Sequence, residues 1–319
     1  MNAKRHNRFG YTLTELLIVL AILAMLSGLA IPAVVKIGGF LSKKSDAAAR
    51  DLYGVLRAAR ISAISYRKDT AVVYVVHWRP DNYSNGQSYI IDGYSMATRA
   101  TKEQVAFILN PPTVVVDNAA YQDLENSLAA FAARLNDQSI QEDDVFILPQ
   151  ETQARFRAMP NNTAVIGHLT AQEEQTLAAT GFVDVPPQSL AEFVDGTNDP
   201  EGRYRGLHSR GMRTIYMFRE RDADGFLEPI AAEITIDPAA APLSNAFPAH
   251  VFLPTGELSV PGDSLEPWKE RITIAVGASP DAPLEDRFTV APNEGPQPVM
   301  AAPARIEVYR STGRIQIGS

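Results

Sequence analysis

The stretch RFGYTLTELLIVLAILAMLSGLAIPAV, from Arg8 to Val34, decides how the rest of the chain is read. The twenty residues from Leu16 to Val35 carry no charge, and Ser27 is their only polar side chain. Twenty helical residues rise about 30 Å, the depth of a bilayer's hydrocarbon layer, so this segment is long enough to span a membrane. One acid, Glu15, stands directly before it, and a short basic head of Lys4, Arg5 and Arg8 leads into Gly10. A carboxylate at the centre of a membrane helix costs about 2.5–3.5 kcal/mol on insertion scales, and intramembrane acids are usually paired. At the end of the helix Glu15 meets a smaller cost, and a carboxylate at a helix N-terminus is favoured by the macrodipole. A secretory signal peptide has a shorter apolar stretch and a small-residue cleavage site after it. Here the apolar stretch is longer, an acid interrupts its start, and the glycine precedes it. Ser27-Gly28-Leu29-Ala30 imitates a signal-peptidase site and keeps a secreted chain as the rival reading.

Composition narrows the field. The 319 residues are enough for two ordinary domains or one large one with appendages. The net charge is −8, and without the three basic residues of the first ten it is −11. Nucleic-acid binding wants a basic surface, so nucleic acid is not an expected partner. There is no cysteine, which excludes disulfides, thiolate metal sites and cysteine nucleophiles.

The order of basic head, Gly10, Tyr11-Thr12-Leu13-Thr14-Glu15 and apolar run resembles the class III leader of the type IV pilin and pseudopilin family. The resemblance implies that a membrane-embedded prepilin peptidase cuts between Gly10 and Tyr11 and methylates the new amino terminus on Tyr11. Glu15 then becomes the fifth mature residue, where the family carries its glutamate. Pro32 becomes the twenty-second, where a proline is common. Tyr11 departs from the usual phenylalanine or methionine. In a fibre, Glu15 would pair with the Tyr11 amine of a neighbouring subunit, a charge that methylation preserves. Such a pair in low dielectric is strong and position-sensitive, so it would fix one axial register between apolar helices. Proline removes a backbone hydrogen bond, so a kink is expected near Gly28 and Pro32.

Beyond Pro32 the helical pattern continues. Leu41, Ser45, Ala48, Leu52, Val55, Leu56, Ala59 and Ala63 recur at three- and four-residue steps and predict one apolar face as far as Lys68. Gly38-Gly39 weakens the join by about 1 kcal/mol per glycine. Thr70 to Trp78 reads as a strand buried on both faces. Ser88–Asp92, Val105–Leu109 and Thr113–Val116 are expected strands, and Tyr121–Leu135 and Ala171–Ala179 expected helices. Gln138–Asp144 is polar and acidic, an expected exposed stretch, and Asp184–Gly211 is an irregular loop or linker. Strands are expected again at Arg213–Arg219, Ile230–Ile236, His250–Leu253, Arg271–Val276, Arg305–Arg310 and Arg314–Ile317. Turns are expected at Pro254–Glu257 and at Ser311-Thr312-Gly313, the latter with glycine at positive φ. AARDLYGVLRAARISAISYRKDTAVVYV after the apolar run and ARIEVYRSTGRIQIGS at the end are similar to the GspH/FimT group of minor pseudopilins and minor pilins. The chain is longer than is usual for that group, with the excess between about Asn110 and Gly211.

No enzyme motif stands out. His77, His168, His208 and His250 are scattered without ligand spacing and read as ordinary surface or core histidines. Ser65-Tyr66-Arg67-Lys68 fits S-x-x-K without its companion motifs and reads as a helix end. Asp222-Ala223-Asp224-Gly225 resembles the start of a calcium loop but lacks the further ligands, so Asp222 and Asp224 are weak metal candidates in a plain turn.

The expected architecture is α+β and pilin-like. A long N-terminal helix, transmembrane in its first half and amphipathic in its second, packs on a β-rich C-terminal head. Its parts are a leader at 1–10, a transmembrane and assembly helix at 11–37, an amphipathic continuation at 38–69, and a head at 70–319 with an insertion around 110–211. The expected function is that of a non-enzymatic minor pseudopilin of a type II secretion pseudopilus, with no cofactor. It would sit in the bacterial inner membrane with its N-terminus cytoplasmic and its head periplasmic. Expected partners are other pilin-like subunits, the prepilin peptidase, inner-membrane lipid and the assembly platform. A minor pilin of a type IV pilus or DNA-uptake system is the alternative within the family. A membrane-tethered or secreted β-rich binding module or enzyme is the alternative outside it.

Overall fold

A computed structural model describes residues 44–81, 86–110, 119–149, 156–170, 190–195, 207–209, 211–220, 227–234, 236, 245–259, 271–279, 288–289, 299–300 and 304–318. The apolar run, Thr113–Val116 and Ala171–Ala179 lie outside these residues, as does most of Asp184–Gly211. The fold is α+β with a β-rich head.

Residues 44–66 form helix α1. Its expected apolar face is its buried face. Ser45 is nearly buried, and Ala48, Leu52, Leu56, Ala59 and Ala63 are fully buried in the main core. The face is built of small residues around two leucines, so the helix lies close to the sheet beneath it. Arg67 takes a left-handed backbone conformation (φ 53°) and ends the helix, and Lys68 and Asp69 lead into the first strand.

Strands β1 (Thr70–Asp81) and β2 (Gly86–Arg99) form a long antiparallel hairpin. The register slips at Val75/Val76, where Val75 faces Gly93 and Val76 faces Ile91, so Asp92 is the extra residue of a bulge. Bulges re-aim side chains, and this one turns a carboxylate out of the ladder. From Thr70 to Tyr74 β1 is fully buried on both faces, as its run of β-branched and aromatic residues predicts.

After β2, Lys102–Leu109 is a helix, α2, where the sequence reading expects a strand over Val105–Leu109. The missed signal is a capping box. The Thr101 hydroxyl accepts from the Gln104 N–H at 3.2 Å, and the Gln104 side chain accepts from the Thr101 N–H at 2.8 Å. Val105 and Ile108, three residues apart, are then both buried. Helix α3 (Ala119–Asn136) covers the expected helix and packs on α2. The acidic stretch after it is exposed except for Ile140, which is buried, and Asp144, which is half-buried against Arg213.

The remaining strands are β3 (Val145–Leu148), β4 (Arg157–Ala158) and β5 (Thr163–Thr170), then, after the short helix α4 (Leu190–Asp195), β6 (Arg213–Glu220), β7 (Leu227–Pro229), β8 (Ala246–Phe252), β9 (Leu258–Ser259) and β10 (Arg271–Ala278). Two short strands, β11 (Phe288–Thr289) and β12 (Val299–Met300), pair with each other, and β13 (Ala304–Tyr309) and β14 (Ile315–Gly318) close the chain. Strands β1, β8, β6, β3 and β2 pair in a ring, because β1 and β2 also pair with each other. The result is a five-stranded barrel. All five contribute to one buried cluster, with Val73, Ala97, Phe146, Met217 and Phe247 among its members, which therefore fills the barrel lumen. Residues of opposite parity, such as Val72 and Tyr74, join α1 in the larger core outside it. From the far part of β2 the sheet runs on through β5, β10, β13 and β14. Strands β3 and β6 are parallel, and the chain between them carries β5 into the middle of the sheet.

The expected strand over Ile230–Ile236 is absent; β7 stops at Pro229. Its place on β6 is already filled. β7 pairs with Phe218–Glu220, while β8 takes the same edge from Tyr216 back to Arg213, and the Asn245 carbonyl accepts the Met217 N–H at 3.0 Å. Ile230 still donates its N–H to the Met217 carbonyl at 2.9 Å, and the described residues after it leave the ladder despite their apolar alternation.

One side chain of α1 holds both late hairpins. Arg60 donates from Nε to the Gly256 carbonyl at 3.2 Å and from its terminal nitrogen to the Thr312 carbonyl at 2.8 Å. Both turns use glycine at positive φ, Gly256 at 84° and Gly313 at 56°, as expected for Gly313. A Cβ on Gly313 would lie 1.6 Å from the Gly256 carbonyl oxygen. Gly313→Ala should destabilise the full chain by more than about 1 kcal/mol, through backbone strain and collision together. Leu52→Ala should cost about 2–5 kcal/mol through loss of buried contacts. Urea unfolding of the two variants against the parent chain measures both.

Candidate functional site

Helix α1 follows the apolar run in sequence and packs on the head, so its two faces meet different surroundings. On the buried side the Tyr94 hydroxyl donates to Asp51 at the edge of the seam. Burial, and then this hydrogen bond, push the Tyr94 hydroxyl well above the usual phenol range, so it stays a donor. On the outer side Arg50, Gly54, Arg57, Ile61 and Ile64 are exposed at three- and four-residue spacing, and Tyr66 follows at the helix end. Ser65 and Lys68 are both exposed at that end, in keeping with a helix terminus.

Three of the four histidines considered come together. His168 on β5, His250 on β8 and His208 are each at most 1% exposed. His168 and His250 meet Nε2 to Nε2 at 3.0 Å, and His250 Nδ1 lies 2.8 Å from the Tyr74 hydroxyl. With that hydroxyl donating to Nδ1, the Nε2 proton of His250 is aimed at His168. Burial raises the Tyr74 hydroxyl far above the phenol range, which keeps its proton in place. His208 meets the His168 ring edge-on, with centroids 5.6 Å apart. No sequence spacing announces this cluster, because β5 and β8 are brought together only by the curl of the sheet. Burial pushes the His250 imidazole down to about 3.

His77 stands apart. Its Nδ1 binds Glu233, and its Nε2 lies 3.0 Å from Asp92, the bulge residue. Arg79 adds a second cation 3.7 Å from Asp92. Hydrogen bonding to Asp92 raises the His77 imidazole; burial opposes this, and Glu233 adds to it. Burial alone would raise Glu233, but the hydrogen bond and charge of His77 carry it below the usual carboxylate range. The contact pins the stretch after β7, which has no ladder partner of its own, against the hairpin. With its two ring nitrogens facing carboxylates on opposite sides, His77 is a clamp and not a chelating ligand. Among the described residues there is no group of three or more histidines and acids that could hold a metal ion. Asp222 and Asp224 lie in the β6–β7 connection, outside the described residues.

Gly10, Tyr11, Glu15, Gly28 and Pro32 also lie outside the described residues. For that part of the chain the comparison with known families speaks. Residues 5–31 match the prokaryotic N-terminal methylation motif. The chain carries a class III prepilin-like leader. The match spans Gly10, Tyr11, Glu15 and Gly28 and stops one residue short of Pro32. No curated protein and no solved structure matches the chain. The motif points to a type IV pilin-like or pseudopilin subunit, processed by a prepilin peptidase and anchored in a membrane. Among the described residues no helix is long and apolar enough to cross a membrane.

The two histidine environments titrate in opposite directions. His250 is neutral in the fold and takes up a proton near 6.5 when unfolded, so its contribution is full above about pH 6.5 and falls as pH drops from there towards 3. His77 has the opposite sign. Its value is raised in the fold, so its contribution is full below about 6.5 and is lost as pH rises through the folded value. Thermal midpoints across this range should decline on both sides. His250→Gln should flatten the acid limb and His77→Gln the alkaline limb.

Proposed function

We propose that the protein is a non-enzymatic minor pseudopilin of the GspH/FimT type, a structural subunit of a type II secretion pseudopilus. The observation that carries this reading is the methylation motif at residues 5–31, placed just ahead of a helix whose apolar seam is docked on a β-rich head. The prepilin peptidase cuts between Gly10 and Tyr11, and Tyr11 receives the methyl group. Residues 16–35 then hold the subunit in the inner membrane, with the head on the periplasmic side. On assembly the same segment leaves lipid for the fibre core.

Glu15 gives that core its register. A lone carboxylate among apolar helices is costly unless a cation reaches it, and the methylated Tyr11 amine of an adjacent subunit is the available one. One axial position satisfies the pair; a helix slid by a turn leaves both charges unmatched. Gly28 and Pro32 loosen the helix where it must bend between membrane and fibre. The head's contribution is shape and surface, since its polar clusters serve its own packing: His168 and His250 lie inside the core, and His77 clamps a loop.

Mass spectrometry of the mature N-terminus tests the reading directly. The expected species begins at methylated Tyr11. An intact Met1, or a start near Ala30, would replace it with a tethered or secreted module. Glu15→Val should insert in the membrane normally yet enter fibres at least ten-fold less often than the parent chain, measured by its recovery in sheared fibre fractions.

A further inference from the structure

We infer that, while the subunit is held in the membrane, the outer face of α1 lies on the surface of an anionic phospholipid bilayer, with the head above the helix. The inference deepens the membrane-anchored reading of the previous section and rests on it. Charge is the first observation. Residues 44–68 carry six basic and two acidic side chains, a balance of +4, while residues 69–319 carry eighteen basic and thirty-four acidic, a balance of −16. Arg50 and Arg57 are exposed on the outer face, and neither forms an ion pair with a described residue. Of the two acids, Asp51 holds the Tyr94 hydroxyl, and Asp46 is exposed one turn before Arg50. A negative surface attracts the basic segment and repels the rest of the chain, so one orientation satisfies both signs.

The apolar content of the same face is the second observation. The described residues hold four exposed large hydrophobic side chains, and three of them, Ile61, Ile64 and Tyr66, fall within six residues at the end of α1. Ile61 is 52% and Ile64 43% exposed, on one stripe with Arg50 and Arg57. Arg67 and Lys68 are exposed directly after them. Aliphatic groups, a tyrosine ring and basic side chains together suit the depth of lipid headgroups. The aliphatic groups enter the acyl boundary, the ring sits at the interface, and the cations stay beside phosphate.

Position is the third observation. The apolar run ends at Val35 and α1 is described from Lys44, nine residues on (44 − 35). Nine residues reach about 30 Å even when fully extended, so a spanning run keeps the start of α1 close to the bilayer. Gly38-Gly39 lies in this connection, the pair least committed to continuing the direction of the span. Tethering makes a weak surface affinity sufficient, because the second contact is intramolecular. The connection is also costly to export. Lys36, Lys43, Lys44 and Arg50 follow the run within fifteen residues, against Lys4, Arg5 and Arg8 before it. Basic residues so near a span favour the cytoplasmic side. Contact with phosphate on the far side gives them a use there.

The chain has no cysteine, so single-cysteine variants of the full chain each take one fluorophore. They are reconstituted in vesicles of roughly one phosphatidylglycerol to two phosphatidylcholine and read by quenching from a nitroxide at headgroup depth. Ile64→Cys and Tyr66→Cys are expected to be quenched at least three-fold more than Asn136→Cys, an exposed position at the end of α3. The excess should vanish in pure phosphatidylcholine and in about 0.5 M salt. It should vanish also in Arg50→Gln with Arg57→Gln, whose thermal midpoint should match that of the parent chain. The salt and lipid arms keep the test decisive should that double variant misfold. Equal quenching at all three positions, or an excess that ignores both salt and lipid charge, overturns the membrane surface. So does an Ile64 probe that is shielded in sheared fibres yet never quenched in vesicles, since the face would then serve neighbouring subunits alone. Leu20→Cys separates the two levels. If a nitroxide deep in the acyl layer quenches it while Ile64→Cys matches the control, the anchored-subunit reading stands and this surface falls; if Leu20→Cys is unquenched as well, the anchored reading falls with it.

Discussion

The seam between α1 and the head is the constraint on which the rest of the structure depends. An amphipathic helix exposes one apolar stripe, and it must bury that stripe or aggregate. Leu52 and Leu56 supply the bulk, and Ala48, Ala59 and Ala63 let the backbone come close. Their partners come from across the head. β1 and β2 lie next to the helix in sequence, whereas β10 and β13 are more than two hundred residues away. Arg60 adds a polar tie at the edge of the same seam, and its two acceptors are carbonyls of hairpin turns that follow β8 and β13. The helix is thus the element around which distant parts of the chain agree on one arrangement.

The same division of labour governs polar groups. Where the core encloses them they satisfy one another, as Tyr74, His250 and His168 do. Where they sit at an edge they fasten something that the sheet cannot hold. The bulge at Asp92 is an example: one extra residue in β2 directs a carboxylate at His77, which in turn holds Glu233 and its strandless segment. Both arrangements are explained by the packing they complete.

Much of this was legible beforehand, and the misses have definite causes. The α1 face, the β1 strand, α3, the C-terminal hairpin and its glycine follow from periodicity and turn chemistry, which are local. Val105–Leu109 reads as a strand because five apolar residues fit a strand or a helix equally, and the deciding atoms lie in Thr101 and Gln104 just upstream. Ile230–Ile236 alternates as a strand should, but whether an edge is vacant is a property of the whole sheet. The histidine cluster was invisible for a related reason, since β5 and β8 become neighbours only through curvature. The leader is the opposite case. Its signal is short, linear and chemical, so it stands out in sequence and is matched by a family motif over residues 5–31.

The ring of five strands also sets an order of events as the chain folds. β2 follows β1 after four residues, but the other neighbour of β1, β8, comes some 165 residues later, and the parallel step from β3 to β6 spans a long crossover. Contacts so distant in sequence form slowly, because a long loop must be closed before they return any stability. The hairpin with its helix is therefore the early structure, and one flank of β1 stays an open edge until β8 is delivered. Until that moment the open flank of β1 would offer other chains an unpaired strand, so the speed of closure sets how long this chain is exposed to edge-to-edge pairing.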